Sequence, residues 1–279
     1  MASRIEDYAL IGDCRSAGLI GKDGSLDWLC FPRFDSGACF AALLGTPEHG
    51  RWRIAPEGAV TRTTRRYAGS TLVLETEHET ADGGVTVIDF MPLRGDAADV
   101  ARIVVGRRGK VRMRCELTMR FDYGSIVPWV RHGEGGLQAT AGPDTLRLLT
   151  PVPLKGENFQ SIGDFTVSEG ERIPFVLTWH PSYLGEPRAI DAEVALEQTA
   201  RWWEHWAQSF KPPASGLDTP VVLFQIGIGV KKRHRIGMQF RGDVRPQYAC
   251  QVQGVVDDGN GILINLSPGF RRGRCFQIQ

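Results

Sequence analysis

From residue 51 to residue 180, apolar and polar side chains alternate in short runs broken by Gly, Asp and Pro. That period of two constrains the fold more than any other feature of the chain. Residues 111–121 show it most clearly. Val111, Met113, Cys115, Leu117, Met119 and Phe121 fall on one side, and Arg112, Arg114, Glu116, Thr118 and Arg120 on the other. A segment of this kind buries one face as a strand of an antiparallel sheet. Residues 71–80, 85–92 and 173–180 repeat the pattern, and Asp82-Gly83-Gly84 and Gly142-Pro143-Asp144 mark turns. Upstream, Asp23-Gly24 joins 17–20 to 25–30 as a tight hairpin. Eight or more such runs predict a mainly β fold, an antiparallel sandwich larger than an immunoglobulin domain.

After Pro187 the period changes to 3.6. Leu196, Trp203 and Phe210 recur every seven residues with Thr199, Trp202 and Trp206 beside them, behind Asp191 as N-cap and ahead of Pro212-Pro213. One amphipathic helix is expected over 191–210, within a linker spanning 188–213. Its stripe is too aromatic to face water, so it is expected to pack on the sandwich.

Beyond the linker the composition breaks. The chain carries 33 basic and 32 acidic side chains, yet residues 221–279 hold nine Lys or Arg against three Asp, and all fifteen glutamates lie at or before Glu204. The expected organisation is therefore a sandwich domain over 1–187, the linker helix, and an atypical irregular tail over 214–279. A frameshift, a truncated gene or a fusion would each produce such a tail, and a frameshift or truncation is preferred. Short hairpins or disorder are expected there.

A chain of 279 residues buries a core without staples. Its six cysteines form no CxxC pair and have no His at zinc spacing, so reduced thiols are expected, with no metal and no cofactor. No run approaches the roughly 18 apolar residues of a membrane span. Arg4, Glu6 and Asp7 stand where a signal peptide would have an apolar core, so a cytoplasmic protein is expected. Glycine-rich phosphate loops, G-x-S-x-G and H-E-x-x-H are absent.

The densest polar constellation runs from Gly24 to Ser36 and contains Asp27, Trp28, Arg33, Phe34 and Asp35. Carboxylates and a guanidinium hydrogen-bond sugar hydroxyls while rings cover a pyranose face. The plainer reading is a turn in which Asp35 and Ser36 cap residues 38–44, with Trp28 and Phe34 in the core. The Trp202–Trp206 cluster reads as a packing stripe, and Lys231-Lys232-Arg233-His234-Arg235 as a solvated turn in preference to a nucleic-acid patch. Glycosidic hydrolysis needs two carboxylates across a cleft. Glu75, Glu77 and Glu79 share one strand face and nothing marks an acid and a base among them, so no catalytic residue is nominated.

Taken together, Ile5-Glu-Asp-Tyr8-Ala-Leu-Ile11-Gly12-Asp13-Cys, then Gly24-Ser-Leu-Asp27-Trp28-Leu-Cys-Phe-Pro32-Arg33-Phe34-Asp35-Ser36, then Phe40-Ala-Ala-Leu-Leu44 resembles family 15 glycoside hydrolases, the bacterial glucoamylase and trehalase-like enzymes. The likeness continues through Gly50-Arg-Trp52, Arg66-Tyr67, Thr71-Leu-Val-Leu-Glu-Thr and Asp89-Phe-Met-Pro92, and covers about residues 4 to 211. It implies a super-β-sandwich of galactose-mutarotase type and a linker helix leading to an (α/α)6 barrel. In the family that barrel carries a general-acid and a general-base glutamate for inverting hydrolysis of α-glucosides. No glutamate follows Glu204, so neither catalytic residue transfers to this chain.

The resemblance implies an accessory domain that is inactive alone, with an α-glucoside or a barrel as partner and no membrane. A stand-alone carbohydrate-binding or barrel-docking module is the alternative, ahead of nucleic-acid binding through the basic tail. Asp27, Trp28, Arg33, Phe34 and Asp35, with Trp202 and Trp206, are the expected interface or substrate-edge residues. Arg33 is expected to pair with Asp27 or Asp35. An apolar patch beside Trp28, Phe34 and the Trp202–Trp206 helix is expected to be bare and to favour self-association.

Overall fold

One bent strand organises the first part of the chain. The computed structural model describes residues 4–133, 135–209, 236–237, 250–256 and 262–268, in two units, Met1–Ile226 and Gly227–Gln279. In the first unit the strands are β1 Tyr8–Gly12, β2 Ala17–Gly21, β3 Ser25–Cys30, β4 Ala38–Phe40, β5 Arg51–Pro56, β6 Val60–Tyr67, β7 Leu74–Thr80 and β8 Gly83–Phe90. They continue as β9 Ala98–Thr118, β10 Trp129–Gly133, β11 Gly136–Ala141, β12 Asp144–Leu149, β13 Lys155–Glu157, β14 Gln160–Ser168 and β15 Arg172–Pro181, before helix α1 Ala192–Ser209. The 21 residues of β9 belong to two sheets. Its first part lies between β8 and β15, and its second between β5 and β14, all antiparallel. One sheet runs β1-β2-β3-β5-β9-β14-β13 with β4 on β3, and the other β6-β7-β8-β9-β15-β12-β11-β10.

The handover needs glycine. Gly109 has φ +64, and a Cβ on Gly106 would sit 1.9 Å from the Ser168 carbonyl oxygen. The two sheets face each other across one core in which Phe40, Trp52, Phe175, Ile11, Ile20 and Leu26 are fully buried. This is the antiparallel sandwich that the alternation predicts. Residues 111–121 do not form a separate strand, however. They continue a strand that starts at Ala98 and ends at Thr118. Thr118 and Arg120, expected on the solvent side, are buried; Arg120 donates to the Phe159 carbonyl in the turn of the β13–β14 hairpin, which pairs alongside β9, and its N–H donates to the Cys39 carbonyl.

The helix is where the 3.6 period places it. The Asp191 carboxylate accepts the N–H groups of Glu193 at 2.9 Å and Val194 at 3.1 Å, satisfying two otherwise orphaned donors. Ala192 and Ala195 press on Val73, Ile88, Phe90, Ile103, Val105 and Val176, the outer face of the second sheet. Burial of each larger side chain here contributes about 1.5–3 kcal/mol. As a consequence β8 is buried on both faces, with Val85 and Val87 in the sandwich and Ile88 and Phe90 under the helix. Asp191→Ala is expected to cost about 1 kcal/mol, read as a lower urea midpoint with an unchanged slope. An unchanged midpoint would show that water caps this end equally well.

In the second unit, β16 Ile236–Gly237, β17 Cys250–Val256 and β18 Ile262–Pro268 form an antiparallel sheet in that order. The last two pair antiparallel, registered from Cys250↔Pro268 to Val256↔Ile262. Phe210, Pro212-Pro213 and the basic run at 231–235 lie outside the described residues. Among the described residues, no helix is long and apolar enough to cross a membrane.

Candidate functional site

The polar residues of the 24–36 segment are held by partners from distant parts of the chain. Asp27, on β3, is buried and accepts the Tyr8 hydroxyl at 2.7 Å and the Ser25 hydroxyl. Asp13, in the β1–β2 turn, is ion-paired with Arg94 at 2.6 Å and accepts the N–H of Ser16 at 2.7 Å. Arg94 also donates to the Pro32 carbonyl at 2.6 Å, the Ser16 hydroxyl donates to the Cys30 carbonyl, and the Phe34 N–H donates to the Arg15 carbonyl at 3.0 Å. The turn after β3 is therefore braced from two sides.

Arg33 pairs with Asp35 through two parallel bonds of 2.9 Å, and not with Asp27. Both side chains are about two-thirds exposed, 67% and 69%, so the pair contributes only about 0–1 kcal/mol and serves mainly to shape the turn. The alternative cap is not formed as expected. The Ser36 hydroxyl accepts the Arg33 N–H at 3.2 Å, inside the turn itself. Cys30 lies behind this turn, and burial, aided by the Asp35 charge, pushes its thiol up to about 11, so it stays protonated at neutral pH.

Trp28 and Phe34 are half-buried, as are Trp202 and Trp206 on α1. Trp203 is the buried member of the helix cluster, edge-on to Trp202 at 4.9 Å and to Trp206 at 5.7 Å. The expected site residues thus fall in two places, the β3 turn of the first sheet and the helix on the outer face of the second. Exposed large apolar side chains gather at Tyr123, Ile126, Val127, Trp129 and Phe159.

That surface adjoins the β3 turn. A Cβ on Gly37 would lie 3.6 Å from the Asp122 Cα, and the Tyr123 ring stands 6.0 Å from that of Trp28. Asp122 (φ 48), Tyr123 (φ 58), Asn158 (φ 48) and Phe159 (φ 59) all occupy the left-handed region, where non-glycine residues are uncommon. Asn158-Phe159 form the two-residue turn between the paired Glu157 and Gln160. Positive φ at both central positions is type I′ geometry, which selects Asn-Gly. Phenylalanine stands here in glycine's place, 81% exposed.

Between this turn and β10 opens a cleft of about 340 Å³, with Met119 and Arg120 in its floor and Val127, Val130, Phe159 and Gln160 in its walls. Arg120 is itself buried and donates through Nη1 to the Met119 and Phe159 carbonyls at 2.7 and 3.3 Å. No carboxylate among the described residues is within ion-pair distance of it, and burial lowers its pKa against the opposing effect of Glu48. Sequence reading missed this cleft. The only signal available was Asn-Phe in a tight turn, which resembles an ordinary loop.

The family description "Trehalase-like, N-terminal" matches residues 1–168. A trehalase from Mycolicibacterium smegmatis is 29% identical, over 72% of this chain and 34% of its own. One from Thermoplasma volcanium is 23% identical over 74% of this chain and 34% of its own. Among solved structures, a bacterial glucoamylase complexed with acarbose shares the fold with a TM-score of 0.52 at 9% identity, covering 76% of this chain and 38% of that one. The chain spans about a third of the length of the relatives it matches.

Proposed function

Since the chain belongs to the family of trehalase-like N-terminal domains of glycoside hydrolases, we propose that it is the accessory sandwich of an enzyme system acting on α-glucosidic bonds. On this reading it docks on an (α/α)6 barrel and does not itself release glucose. The observation that carries the reading is how the family-signature carboxylates are used. Asp13 is engaged by Arg94, Asp27 by Tyr8 and Ser25, Asp35 by Arg33, and Asp89 by Arg102. General acid–base cleavage requires one carboxyl free to give a proton and another free to activate water across a substrate-sized gap. Groups bound into turns and cores do neither. They explain the signature as bracing. The two-thirds of the relatives' length that this chain does not span supports a separate catalytic domain.

Docking would fall beside the β3 turn, where Trp28, Arg33, Phe34 and Asp35 meet the Tyr123 loop, with Trp202 and Trp206 forming a second contact on the helix. Purified chain assayed against trehalose, maltose, maltooligosaccharides and starch is expected to release glucose no faster than a blank. Turnover above the blank that survives re-purification would overturn the accessory reading.

A further inference from the structure

We infer that the cleft between β10 and the β13–β14 turn binds a neutral oligosaccharide, with Phe159 as its aromatic wall and Arg120 as its hydrogen-bonding floor. This goes beyond docking on a barrel and does not require it. The first argument is local. A side chain at the glycine position of a type I′ turn is strained, and here the strain is not repaid by packing, because the ring is 81% exposed. A position that breaks its local rule without a structural return is where a ligand contact is expected.

The second argument is the chemistry of the lining. Val127, Val130 and Phe159 present apolar surface, while Asn158, Gln160 and Arg120 present amide and guanidinium groups. A pyranose has the same division, with C–H faces that lie on aromatic or aliphatic surface and hydroxyls that both donate and accept. Among the described residues, Arg120 uses only Nη1 toward protein acceptors, so Nε and Nη2 remain to meet hydroxyl oxygens. Charge selects against anions. Glu157 and His132 line the cleft with Arg120, and Glu48 shares the adjoining recess with Arg120, so two carboxylates stand around the guanidinium. A phosphate or carboxylate would have to approach those carboxylates, whereas an uncharged polyol carries no charge for them to repel. The volume, about 340 Å³, lies in the small-ligand range of roughly 300–1,000 Å³.

The test is an NMR titration of the full chain with trehalose, maltotriose and, as the anionic control, glucose 6-phosphate, following backbone amides and the Arg120 Nε–H. Saturable shifts confined to Asn158, Phe159, Gln160 and Arg120 are expected with at least one neutral sugar, and weaker ones with the phosphate. Phe159→Gly is expected to weaken that binding by about tenfold, as loss of an aromatic contact does. Its melting temperature is expected to be unchanged or higher, because glycine relieves the turn. Absence of shifts at these residues with both neutral sugars, preference for the phosphate, or undiminished binding by Phe159→Gly would each overturn the inference. So would a lower melting temperature for Phe159→Gly, since the ring would then be a packing residue. Glucose release by the chain would refute the accessory reading while leaving this shift map intact.

Discussion

Arg102→Ala is expected to destabilise the sandwich by about 3–5 kcal/mol, the cost of leaving a buried charge without its counter-ion. Arg102 and Asp89 face each other across the β8–β9 pair, 2.6 Å apart, with both side chains essentially inaccessible to solvent. The guanidinium also reaches across the core to the first sheet. It donates to the Trp52 and Gly24 carbonyls, each at 2.8 Å, and lies 5.0 Å from the centre of the Trp52 ring. One side chain therefore neutralises a buried carboxylate, satisfies the carbonyl of a hairpin turn and ties the two sheets together. Alanine would remove all three contacts and leave Asp89 desolvated. Urea denaturation measures the loss. The double variant Asp89→Leu with Arg102→Met is expected to recover much of it, because an apolar pair of similar size needs no hydration. A single Arg102→Ala variant that loses less than about 1 kcal/mol would mean that water reaches Asp89 and that the clamp is unimportant.

Acid is expected to remove about 3 kcal/mol of stability through one imidazole. His78 lies on the inward face of β7, and burial, reinforced by the charges of Arg53 and Arg102 against that of Asp23, pushes it down to about 4. The folded state thus holds this group neutral at a pH where the unfolded chain, at an ordinary value near 6.5, has already taken up a proton. Protonation favours the unfolded state. The contribution is complete above about pH 6.5 and is lost progressively as the pH falls to about 4, below which the difference stays constant. Its ring Nδ1 lies 3.2 Å from the Thr63 hydroxyl, while Nε2 is buried with no hydrogen-bond partner, so a proton added to the ring finds no acceptor at Nε2. Unfolding free energies of wild type and His78→Gln, compared from pH 7 to pH 4, isolate the effect. The wild-type curve should fall more steeply by about 3 kcal/mol over that range. Parallel curves would show that His78 is solvated in the folded state.

Much of the architecture was legible in the pattern of residues. Alternation along 111–121, 85–92 and 173–180 marked strands because each strand has one face against the sandwich core. Asp191 ahead of the Leu196–Trp203 spacing marked the start of α1 within one residue, since an N-cap carboxylate is a local device. The Asp23-Gly24 turn was equally local, as Gly24 at φ +80 confirms. Such features depend on neighbours within a few positions, and those neighbours are visible in a linear chain.

What stayed hidden depends on partners far away. In the run Val100-Ala101-Arg102-Ile103-Val104-Val105, Arg102 looks like a solvent-facing break, yet it is fully buried because Asp89, Trp52 and Gly24, the last 78 residues distant, converge on it. Likewise, Asp27 resembled a sugar ligand in isolation and became a brace once Tyr8 was brought to it, as the signature residue Asp13 did with Arg94. The Phe159 cleft exists only where the edges of two sheets meet. The sequence by itself determined which segments are strands, where the helix starts and to which family the chain belongs, because periodicity, caps and turns are short-range. Only the tertiary structure decided which polar groups are buried and which aromatic side chains are exposed, because the energy of a buried charge or a bare ring is set by what the rest of the chain places beside it.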